Sequence, residues 1–389
     1  MKEGWTYKKL GEVAKVQNGF AFKSSLFRED GSPIVRISSI QNGEIKEDDL
    51  VTFYPSDYDV NFDNYKIFPN DILIAMSGGT TGKLGINKTS KVFYQNQRVG
   101  VIRENSQFLN HFYLYYFLHT KTEESLKIAA GAAQPNLSTA QINNFIIPVP
   151  PLSEQQRIVA QLDEAFAEID MIKAEAEKQL SEAKALFQKA LSQAMTPKEG
   201  WEKKKLGEVC DFQGGSQPPK SEWIKSPKDG YVRMLQIRDF TKSRKAEAEY
   251  VKLSNKLRLC KSDDILIGRY GASVGKILTG LEGAYNVAII KSIPVETIVK
   301  KEYIRRFFES ATFQEILLKV CSSRTAQAGF SKDDIQDTTI PLPPLSEQQR
   351  IVEELDELSE NVKEIETLNN KLTAECDAMK QALLRQVFE

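Results

Sequence analysis

The sequence predicts an α+β protein with two mixed domains and two long helices, arranged as an internal repeat. Three observations predict this fold class. The decapeptide PPLSEQQRIV begins at Pro150 and begins again, unchanged, at Pro343. The two tails that follow, residues 152–196 and 345–389, contain no Gly or Pro, as expected of uninterrupted helices. The segments before the tails alternate strand-like apolar runs with amphipathic helical runs, punctuated by Gly and Pro.

The repeat extends over most of the chain, as three further pairs of segments show. They are EGWTYKKLGEV (3–13) with EGWEKKKLGEV (199–209), DILIAMSGGTTGK (71–83) with DILIGRYGASVGK (264–276), and AAQPNLSTAQINNFIIPVP (132–150) with TAQAGFSKDDIQDTTIPLP (325–343). Between these segments the two halves diverge. We therefore expect one domain at residues 1–150, a helix at 151–196, a second domain at 197–343 and a second helix at 344–389.

The start of each tail carries a capping signal. A Ser followed three residues later by Gln is a capping box, and this pattern places the expected caps at Ser153 with Gln156 and at Ser346 with Gln349. The prolines before them should end the strand-like FIIPV and its counterpart.

Apolar residues recur at steps of three and four along both tails, which is the pattern of a coiled-coil seam. In the first tail the seam is Val159, Leu162, Phe166, Ile169, Lys173, Ala176, Leu180, Ala183, Phe187, Ala190 and Ala194. In the second it is Ile351, Leu355, Leu358, Val362, Ile365, Asn369, Leu372, Cys376, Met379 and Leu383. Since one chain carries two such helices, we expect them to pair antiparallel and to relate the repeats by a pseudo-twofold axis. The alternative is that each helix packs on its own domain.

Composition excludes several classes of protein. The chain has no apolar run long enough to span a membrane and no apolar signal core at its start. The four cysteines are far apart without a CxxC pair, which fits neither a disulfide framework nor a zinc site; they are Cys210, Cys260, Cys321 and Cys376. His111 and His119 are eight residues apart, and a surface or core position suits them better than a metal site. We expect a reduced, soluble, cytoplasmic protein without a metal.

Charge is unevenly distributed along the chain. Residues 196–343 carry 26 Lys/Arg against 19 Asp/Glu, whereas residues 1–150 carry 16 against 15. A basic segment is a candidate surface for a polyanion. Ordinary fluctuation is the alternative, above all for the nearly neutral first segment.

The Gly-rich segments SGGTTGK and YGASVGK resemble phosphate loops but lack two required residues. The first Gly of the P-loop pattern is replaced by Ser77 and Tyr270, and the Ser or Thr after the Lys is replaced by Leu84 and Ile277. We therefore reject ATP binding. Two interpretations stay open: a structural turn after a strand, or a turn that places Lys83 or Lys276 near DNA phosphate.

Catalytic motifs are missing as well. The chain has neither the NPPF nor the DPPY tetrapeptide of a DNA adenine methyltransferase, and GEIK at 43–46 matches only the end of a nuclease motif. With two histidines, no Ser/His/Asp arrangement is recognisable. The sequence thus predicts a chain without catalytic residues and without a cofactor of its own.

Basic, polar and aromatic residues give the candidate DNA contacts, because arginine can read guanine with two hydrogen bonds and lysine mainly neutralises phosphate. They are Arg36, Lys83, Gln97 and Arg98 in the first domain, and Arg233, Arg238, Arg244, Arg269, Tyr270 and Lys276 in the second. For any single one of them, solvated surface charge is the alternative. Arg36 and Arg233 follow similar strand-like runs, so matching structural roles are also expected of them.

The doubled P[VL]PPLSEQQRIV, the doubled W-x3-KLGEV, the doubled DILI…GK and the two long helices closely resemble the specificity subunit of Type I DNA restriction–modification systems, over the full chain. The resemblance implies that each domain is a target recognition domain reading one half of a split, asymmetric DNA target, and that the antiparallel helices are the spacer. It implies two adenine-N6 methyltransferase subunits as partners, and two motor/nuclease subunits as further ones. S-adenosylmethionine, ATP and Mg²⁺ are expected on those partners.

The resemblance also accounts for the unchanged decapeptide, since identical partner subunits require identical docking surfaces. The expected docking residues are Pro151, Glu154, Gln155 and Arg157 in the first copy and Pro344, Glu347, Gln348 and Arg350 in the second. Two other functions stay open. A stand-alone DNA-binding regulator would have no methyltransferase partner, and a coiled-coil tether would bind protein rather than DNA.

Overall fold

The computed structural model describes residues 4–48, 50–130, 136–240, 247–322 and 329–389. Its contacts divide the chain into two compact units. Unit 1 comprises Met1–Glu175 and Lys371–Glu389, and unit 2 comprises Ala176–Asn370. Each unit therefore combines one α+β domain with a portion of both long helices, rather than ending where the domain meets its helix. The predicted fold class is confirmed.

The described residues of unit 1 form three sheets, in the strand orders β1-β12, β6-β3-β10-β7 and β2-β11-β8-β9-β5-β4. Its strands are β1 (Thr6–Lys9), β2 (Ala14–Asn18), β3 (Ser32–Val35), β4 (Ile40–Gln41), β5 (Gly43–Ile45), β6 (Val51–Phe53), β7 (Lys66–Ile67), β8 (Ile72–Ala75), β9 (Leu84–Ile86), β10 (Phe93–Gln95), β11 (Val99–Glu104) and β12 (Ile146–Val149). Its helices are α1 (Leu10–Val13), α2 (His111–Thr120), α3 (Thr122–Ala130) and α4 (Thr139–Asn143), and α5 (Leu152–Ala194) begins in this unit.

Unit 2 has the sheet orders β13-β22, β16-β15-β20-β17 and β14-β21-β18-β19. Its strands are β13 (Glu202–Lys205), β14 (Cys210–Gly214), β15 (Tyr231–Leu235), β16 (Tyr250–Lys252), β17 (Leu259–Cys260), β18 (Leu266–Gly268), β19 (Ile277–Leu278), β20 (Gly283–Tyr285), β21 (Ile289–Pro294) and β22 (Thr339–Leu342). Its helices are α6 (Leu206–Val209), α7 (Lys301–Glu309), α8 (Ala311–Ser322) and α9 (Lys332–Ile335), and α10 (Leu345–Phe388) begins here.

Both long helices start one residue before the predicted caps, so the capping prediction is wrong. In α5 the backbone amides of Glu154 and Gln155 donate to the carbonyl of Pro151, at 2.9 and 3.0 Å. The equivalent amides of α10 donate to Pro344. Each proline thus takes the cap position, because its carbonyl accepts the first helical hydrogen bonds, and Ser153 lies inside the helix.

Within unit 1 the two helices run antiparallel, as expected. Asp170 pairs with Lys380 at 2.6 Å and Lys173 with Asp377 at 2.8 Å, so residue numbers rise along α5 as they fall along α10. Lys173 is a polar residue of the predicted seam, and its partner Asp377 lies on the other helix. Exposed ion pairs add little stability, but they are specific to one register.

The seam in unit 1 differs from the prediction at Met379, which is 56% exposed. The buried positions near the end of α10 are Cys376, Leu384 and Phe388, which are spaced by eight and four residues. The reason is that this end also packs on the domain: the Phe388 ring lies 5.0 Å from that of Tyr113. A helix covered on two sides buries a wider face than a two-helix seam.

Within unit 2 the helices are also antiparallel. Lys184 pairs with Glu366 at 3.0 Å. Leu191 and Met195, at the end of α5, belong to the same core cluster as Ile351 at the start of α10. All predicted seam positions of α5 are buried or half-buried, so the predicted coiled-coil pattern is confirmed for that helix.

The repeated segments meet at the junction between domain and helix. In unit 1, β1 pairs antiparallel with β12, the strand that leads into α5, and the amide of Leu10 donates to the carbonyl of Phe145 at 2.8 Å. In unit 2, β13 pairs with β22 in the same way, and Leu206 donates to Thr338 at 2.8 Å. Segments far apart in sequence are therefore alike in both halves because they build one structure together.

Candidate nucleic-acid interface

Five loop segments of unit 1 converge at one edge of its domain. We call this set loop edge 1, and it comprises residues 19–20, 36–39, 76–80, 95–98 and 136–137. Backbone hydrogen bonds join the segments: Phe20 N to Gln95 O (2.9 Å), Asn96 N to Val35 O (3.0 Å), Met76 N to Arg98 O (2.9 Å) and Leu137 N to Met76 O (2.8 Å). The segments are therefore adjacent in space.

Unit 2 has the same arrangement. Loop edge 2 comprises residues 215–216, 236–240, 269–273, 285–288 and 329–330. Its bonds are Ser216 N to Tyr285 O (3.0 Å), Asn286 N to Leu235 O (3.1 Å), Arg269 N to Ala288 O (2.9 Å) and Phe330 N to Arg269 O (3.3 Å). Each bond has a counterpart in loop edge 1, and together they establish which residues are equivalent.

These equivalences correct one expectation from the sequence. Ile34 pairs in parallel with Tyr94, and Met234 pairs with Ala284 in the same manner. Arg36 therefore corresponds to Gln236 and not to Arg233, which lies three residues earlier in its strand. The similar local sequences around Arg36 and Arg233 were misleading, because pairing with strands distant in sequence sets the register of β3 and β15.

A glycine permits the close approach of two segments in each loop edge. A Cβ on Gly19 would lie 2.1 Å from the carbonyl oxygen of Asn96, and one on Gly215 would lie 2.0 Å from that of Asn286. Neither contact leaves room for a side chain. The sequence analysis missed both glycines, although they follow similar segments: VQN precedes Gly19 and FQG precedes Gly215.

In unit 1, loop edge 1 brings together three of the four predicted DNA contacts. Arg36 and Arg98 are half-buried and Gln97 is exposed. Lys83 lies elsewhere: it lines a cleft of about 430 Å³ with Arg385 and His119.

In unit 2, loop edge 2 contains Arg238, Arg269 and Tyr270. Arg233 lies in β15, where its Nη2 donates to Asp239 at 2.8 Å, which is a structural ion pair rather than an open contact. Lys276 is exposed and follows the Gly-rich turn, as Lys83 does. Arg244 lies outside the described residues.

Glu249 is a further candidate that the sequence analysis missed. It precedes β16, and its carboxylate accepts hydrogen bonds from Arg238, from Gln236 Nε2 at 2.9 Å and from Lys220 Nζ at 3.0 Å. Although partial burial acts to raise the pKa of Glu249, the bonds from Lys220 and Gln236 hold this pKa below its usual value. The side chain is therefore an anion among cationic and amide donors.

The predicted docking residues divide into two groups. Gln155 and Gln348 are fully buried, so they offer no surface to a partner, contrary to the expectation. Gln155 Nε2 donates to the carbonyls of Phe108 and Pro150, both at 2.8 Å, and its Oε1 accepts from Asn110 N at 2.8 Å. Gln348 makes the equivalent three bonds in unit 2. These glutamines join each domain to its helix.

The other docking candidates lie at or near the surface. Pro151 and Arg157 are exposed and Glu154 is half-buried, and their counterparts Pro344, Arg350 and Glu347 have the same burial. Each arginine is held by its glutamate through two bonds, at 2.7 and 2.6 Å in unit 1 and at 2.8 and 2.7 Å in unit 2. The two units thus share this Glu–Arg pair, although Arg350 also bonds to Glu354 where Arg157 bonds to Gln161.

Replacing Gln155 with Leu should lower the free energy of unfolding of unit 1 by about 3 kcal/mol, because three buried backbone groups lose their hydrogen-bond partner. A thermal melt of the protein measures this. Gln156→Leu is the matched control, since Gln156 is exposed and a surface substitution usually changes stability by about 0.5 kcal/mol or less. Equal melting temperatures for the two variants would contradict the junction role of Gln155.

The histidines and cysteines lie outside the two loop edges. The described residues contain no group of three or more His, Cys, Asp or Glu that could hold a metal ion. Cys210, Cys260, Cys321 and Cys376 are all buried. His111 contacts Glu104 at 3.0 Å, while burial lowers the pKa of His119 to about 4. No helix in the described ranges combines the length and apolarity that crossing a bilayer requires.

Comparisons with known proteins identify the family. The family model described as "Type I restriction modification DNA specificity domain" matches residues 2–182 and again 198–374. The EcoKI specificity subunit of Escherichia coli K12 is 28% identical, with all of this chain and 89% of that protein covered. The StySPI specificity subunit of Salmonella potsdam is 25% identical, with 100% and 89% covered.

Solved structures agree in fold. One chain comes from a structure that concerns complex assembly and conformational transition of the type I R-M system. It superposes with a TM-score of 0.75, at 22% identity and with 99% of this chain and 98% of that chain covered. The HsdS subunit of Thermoanaerobacter tengcongensis superposes with a TM-score of 0.52, at 22% identity and with 100% and 97% covered. From the two matched domains, we conclude that the chain belongs to the family of Type I restriction–modification DNA specificity subunits, which are non-catalytic recognition subunits.

Proposed function

We propose that this specificity subunit binds a DNA target in two separated halves, one bound by each unit, and directs partner subunits to it. The partners are two adenine-N6 methyltransferase subunits and two motor/nuclease subunits, in the cytoplasm. They would bind S-adenosylmethionine, ATP and Mg²⁺. Adenines in the target would be flipped out of the duplex into the catalytic pocket of the methyltransferase.

One observation carries this proposal: the junctions of the two units are alike, whereas their loop edges differ. At the surface of the junctions, Glu154 holds Arg157 and Glu347 holds Arg350 through the same two hydrogen bonds. By contrast, Arg36 corresponds to Gln236 in the loop edges. Identical partner subunits require equal surfaces, and different base sequences require different side chains. Both requirements are met within one chain.

The paired helices support a fixed gap between the two halves of the target. A helix of 43 or 44 residues at about 1.5 Å per residue is about 65 Å long, and the ion pairs of each unit favour one antiparallel register. Since the units differ, the target should be asymmetric, unlike the palindrome of a symmetric dimer.

Charge reversal at the exposed arginines tests the docking surface. We expect Arg157→Glu to remove one methyltransferase subunit from the complex, because the reversed charge faces the adjacent Glu154 and disrupts the local surface. Arg350→Glu should do the same through Glu347, and the double variant should lose both partners. Native mass spectrometry counts the subunits. A double variant that retains two partners would place the docking surface elsewhere.

Co-purification tests the proposal as a whole. The tagged chain should retain methyltransferase subunits when it is expressed with them, and the complex should bind DNA with a strong salt dependence. A chain that binds specific DNA equally well alone, without retaining partners, would instead be a stand-alone regulator.

A further inference from the structure

We propose that Arg238 reads a guanine in the half of the target bound by unit 2, that Glu249 positions its guanidinium, and that Arg269 of the same loop edge contacts backbone phosphate. This inference rests on the proposed function and assigns different tasks to two arginines of loop edge 2.

Arg238 has the exposure and the support that a base-reading side chain needs. It is 47% exposed, whereas the Glu249 side chain that holds it is 17% exposed. Glu249 is itself fixed by Gln236 and Lys220, and Lys220 Nζ lies 3.7 Å from the centroid of the Trp223 ring. The carboxylate is therefore held from several sides, and a guanidinium attached to it has few accessible orientations. Such restriction reduces the entropy that is lost on binding.

The carboxylate also changes what Arg238 attracts. A guanidinium next to a carboxylate is largely neutralised, and phosphate is repelled by the same carboxylate, so the pair is poorly suited to a phosphate contact. The planar donors of arginine match O6 and N7 of guanine, which lie in the major groove and carry no full negative charge. Guanine is thus the base that fits this pair.

Arg269 has the opposite environment. Its Nε donates to the carbonyl of Phe330 at 3.0 Å and its Nη1 to that of Val287 at 3.3 Å, and its Cζ lies 5.2 Å from the centroid of the Tyr270 ring. Among the described residues no carboxylate forms an ion pair with it. Carbonyls orient a guanidinium without cancelling its charge, and a fixed cation at the surface of a DNA-binding edge favours phosphate.

Loop edge 1 lacks this pair. The strand registers place Ser38 at the position of Arg238, since Val35 and Leu235 are equivalent. They place Val51 at the position of Glu249, because Val51 pairs with Ile34 and the carbonyl of Glu249 accepts from Met234 at 2.7 Å. The guanine contact should therefore belong to one half of the target only.

The experiment uses the complex of this chain with its methyltransferase subunits. The unread and read positions are first mapped with the unchanged complex, and the half bound by unit 2 is assigned by exchanging its domain. Duplex oligonucleotides with the mapped target, and with each base pair of that half replaced in turn, then serve as probes. The variants are Arg238→Ala, Arg238→Lys, Glu249→Gln and Arg269→Ala. Lys205→Ala is the control, because it removes one positive charge from β13, away from loop edge 2.

We expect Arg238→Ala to reduce discrimination between the target and a substituted base pair by about 5- to 150-fold at one G·C pair, the range for one bidentate base contact. Discrimination at the other positions should not change. Arg238→Lys should lose most of the discrimination at this G·C pair, since lysine lacks the planar pair of donors. Glu249→Gln should weaken discrimination at the same pair. Arg269→Ala should weaken binding to all probes alike and reduce the salt slope by about one. Lys205→Ala should change neither.

The inference is overturned if Arg238→Ala still discriminates at every base pair that the unchanged complex reads. It is also overturned if the unchanged complex reads no G·C pair in the half bound by unit 2. If Arg238→Ala does not assemble with its partners, Arg238→Lys decides the question, and unchanged discrimination overturns it. Loss of affinity for all probes without loss of discrimination makes Arg238 a phosphate contact, which also contradicts it. An unchanged complex without any split target would overturn the proposed function itself, which is a different result.

Discussion

Exchanging the domain of unit 1 for that of unit 2 is expected to convert an asymmetric target into a symmetric one. The exchange replaces residues 14–104 with 210–294, and residues 131–137 with 324–330. Its boundaries are set by β2 and β14 at the start and by β11 and β21 at the end, which occupy equivalent places. Both loop edges would then carry the same side chains. Because the helices pair antiparallel within each unit, the two halves should become inverted copies of the half that unit 2 reads.

The boundaries also protect the junction. α2 stays unchanged, so Tyr113 Oη still donates to the carbonyl of Pro148 at 2.9 Å, and Asn110 still donates to Gln155. The control is the reciprocal exchange, which should give inverted copies of the other half. Methylated-adenine mapping distinguishes the results. An asymmetric target in the exchanged protein would mean that sequence is read outside the transplanted segments.

Lengthening both helices by one heptad should widen the unread gap by about three base pairs. Seven residues add about 10.5 Å, and one base pair rises about 3.4 Å along the duplex. A heptad keeps the seam in phase. The insertions belong after Glu175 and after Ala374, which lie opposite each other in the register defined by Lys173 with Asp377. The bases that are read should not change, because the loop edges are untouched.

The control for this prediction inserts the heptad into α5 alone. That change shifts one helix against the other, so the pair Asp170 with Lys380 and the pair Lys184 with Glu366 can no longer form in one register. We expect such a protein to lose sequence-specific methylation and to melt at a lower temperature. An unchanged gap in the doubly lengthened protein, with methylation intact, would show that the helices do not set the spacing.

The long helices could be predicted from the sequence because their contacts repeat at steps of three and four, which a linear pattern records. The exception is instructive. Met379 continues that pattern but is exposed, since the buried face of α10 widens where Leu384 and Phe388 pack on the domain. The spacing of apolar residues along a helix does not show that the helix also packs against a domain.

The site could be predicted only in part, because its geometry depends on contacts between distant segments. Residue type alone predicted Arg98, Arg238 and Arg269 as candidate DNA contacts, and the structure places them in the loop edges. Gln155 was misjudged as a surface residue: its burial follows from hydrogen bonds to backbone groups more than 40 residues away. Glu249 was missed for a similar reason, since an acid in a basic segment acquires its role only from the donors that the strands bring to it.

The most direct measurement for the central claim is long-read mapping of methylated adenine in DNA from cells that express the methyltransferase subunits with and without this chain. The account predicts methylation only when the chain is present, in a target of two short unlike elements separated by a gap of constant length and free sequence. A single continuous or palindromic target, or methylation of the same sites without the chain, would contradict it.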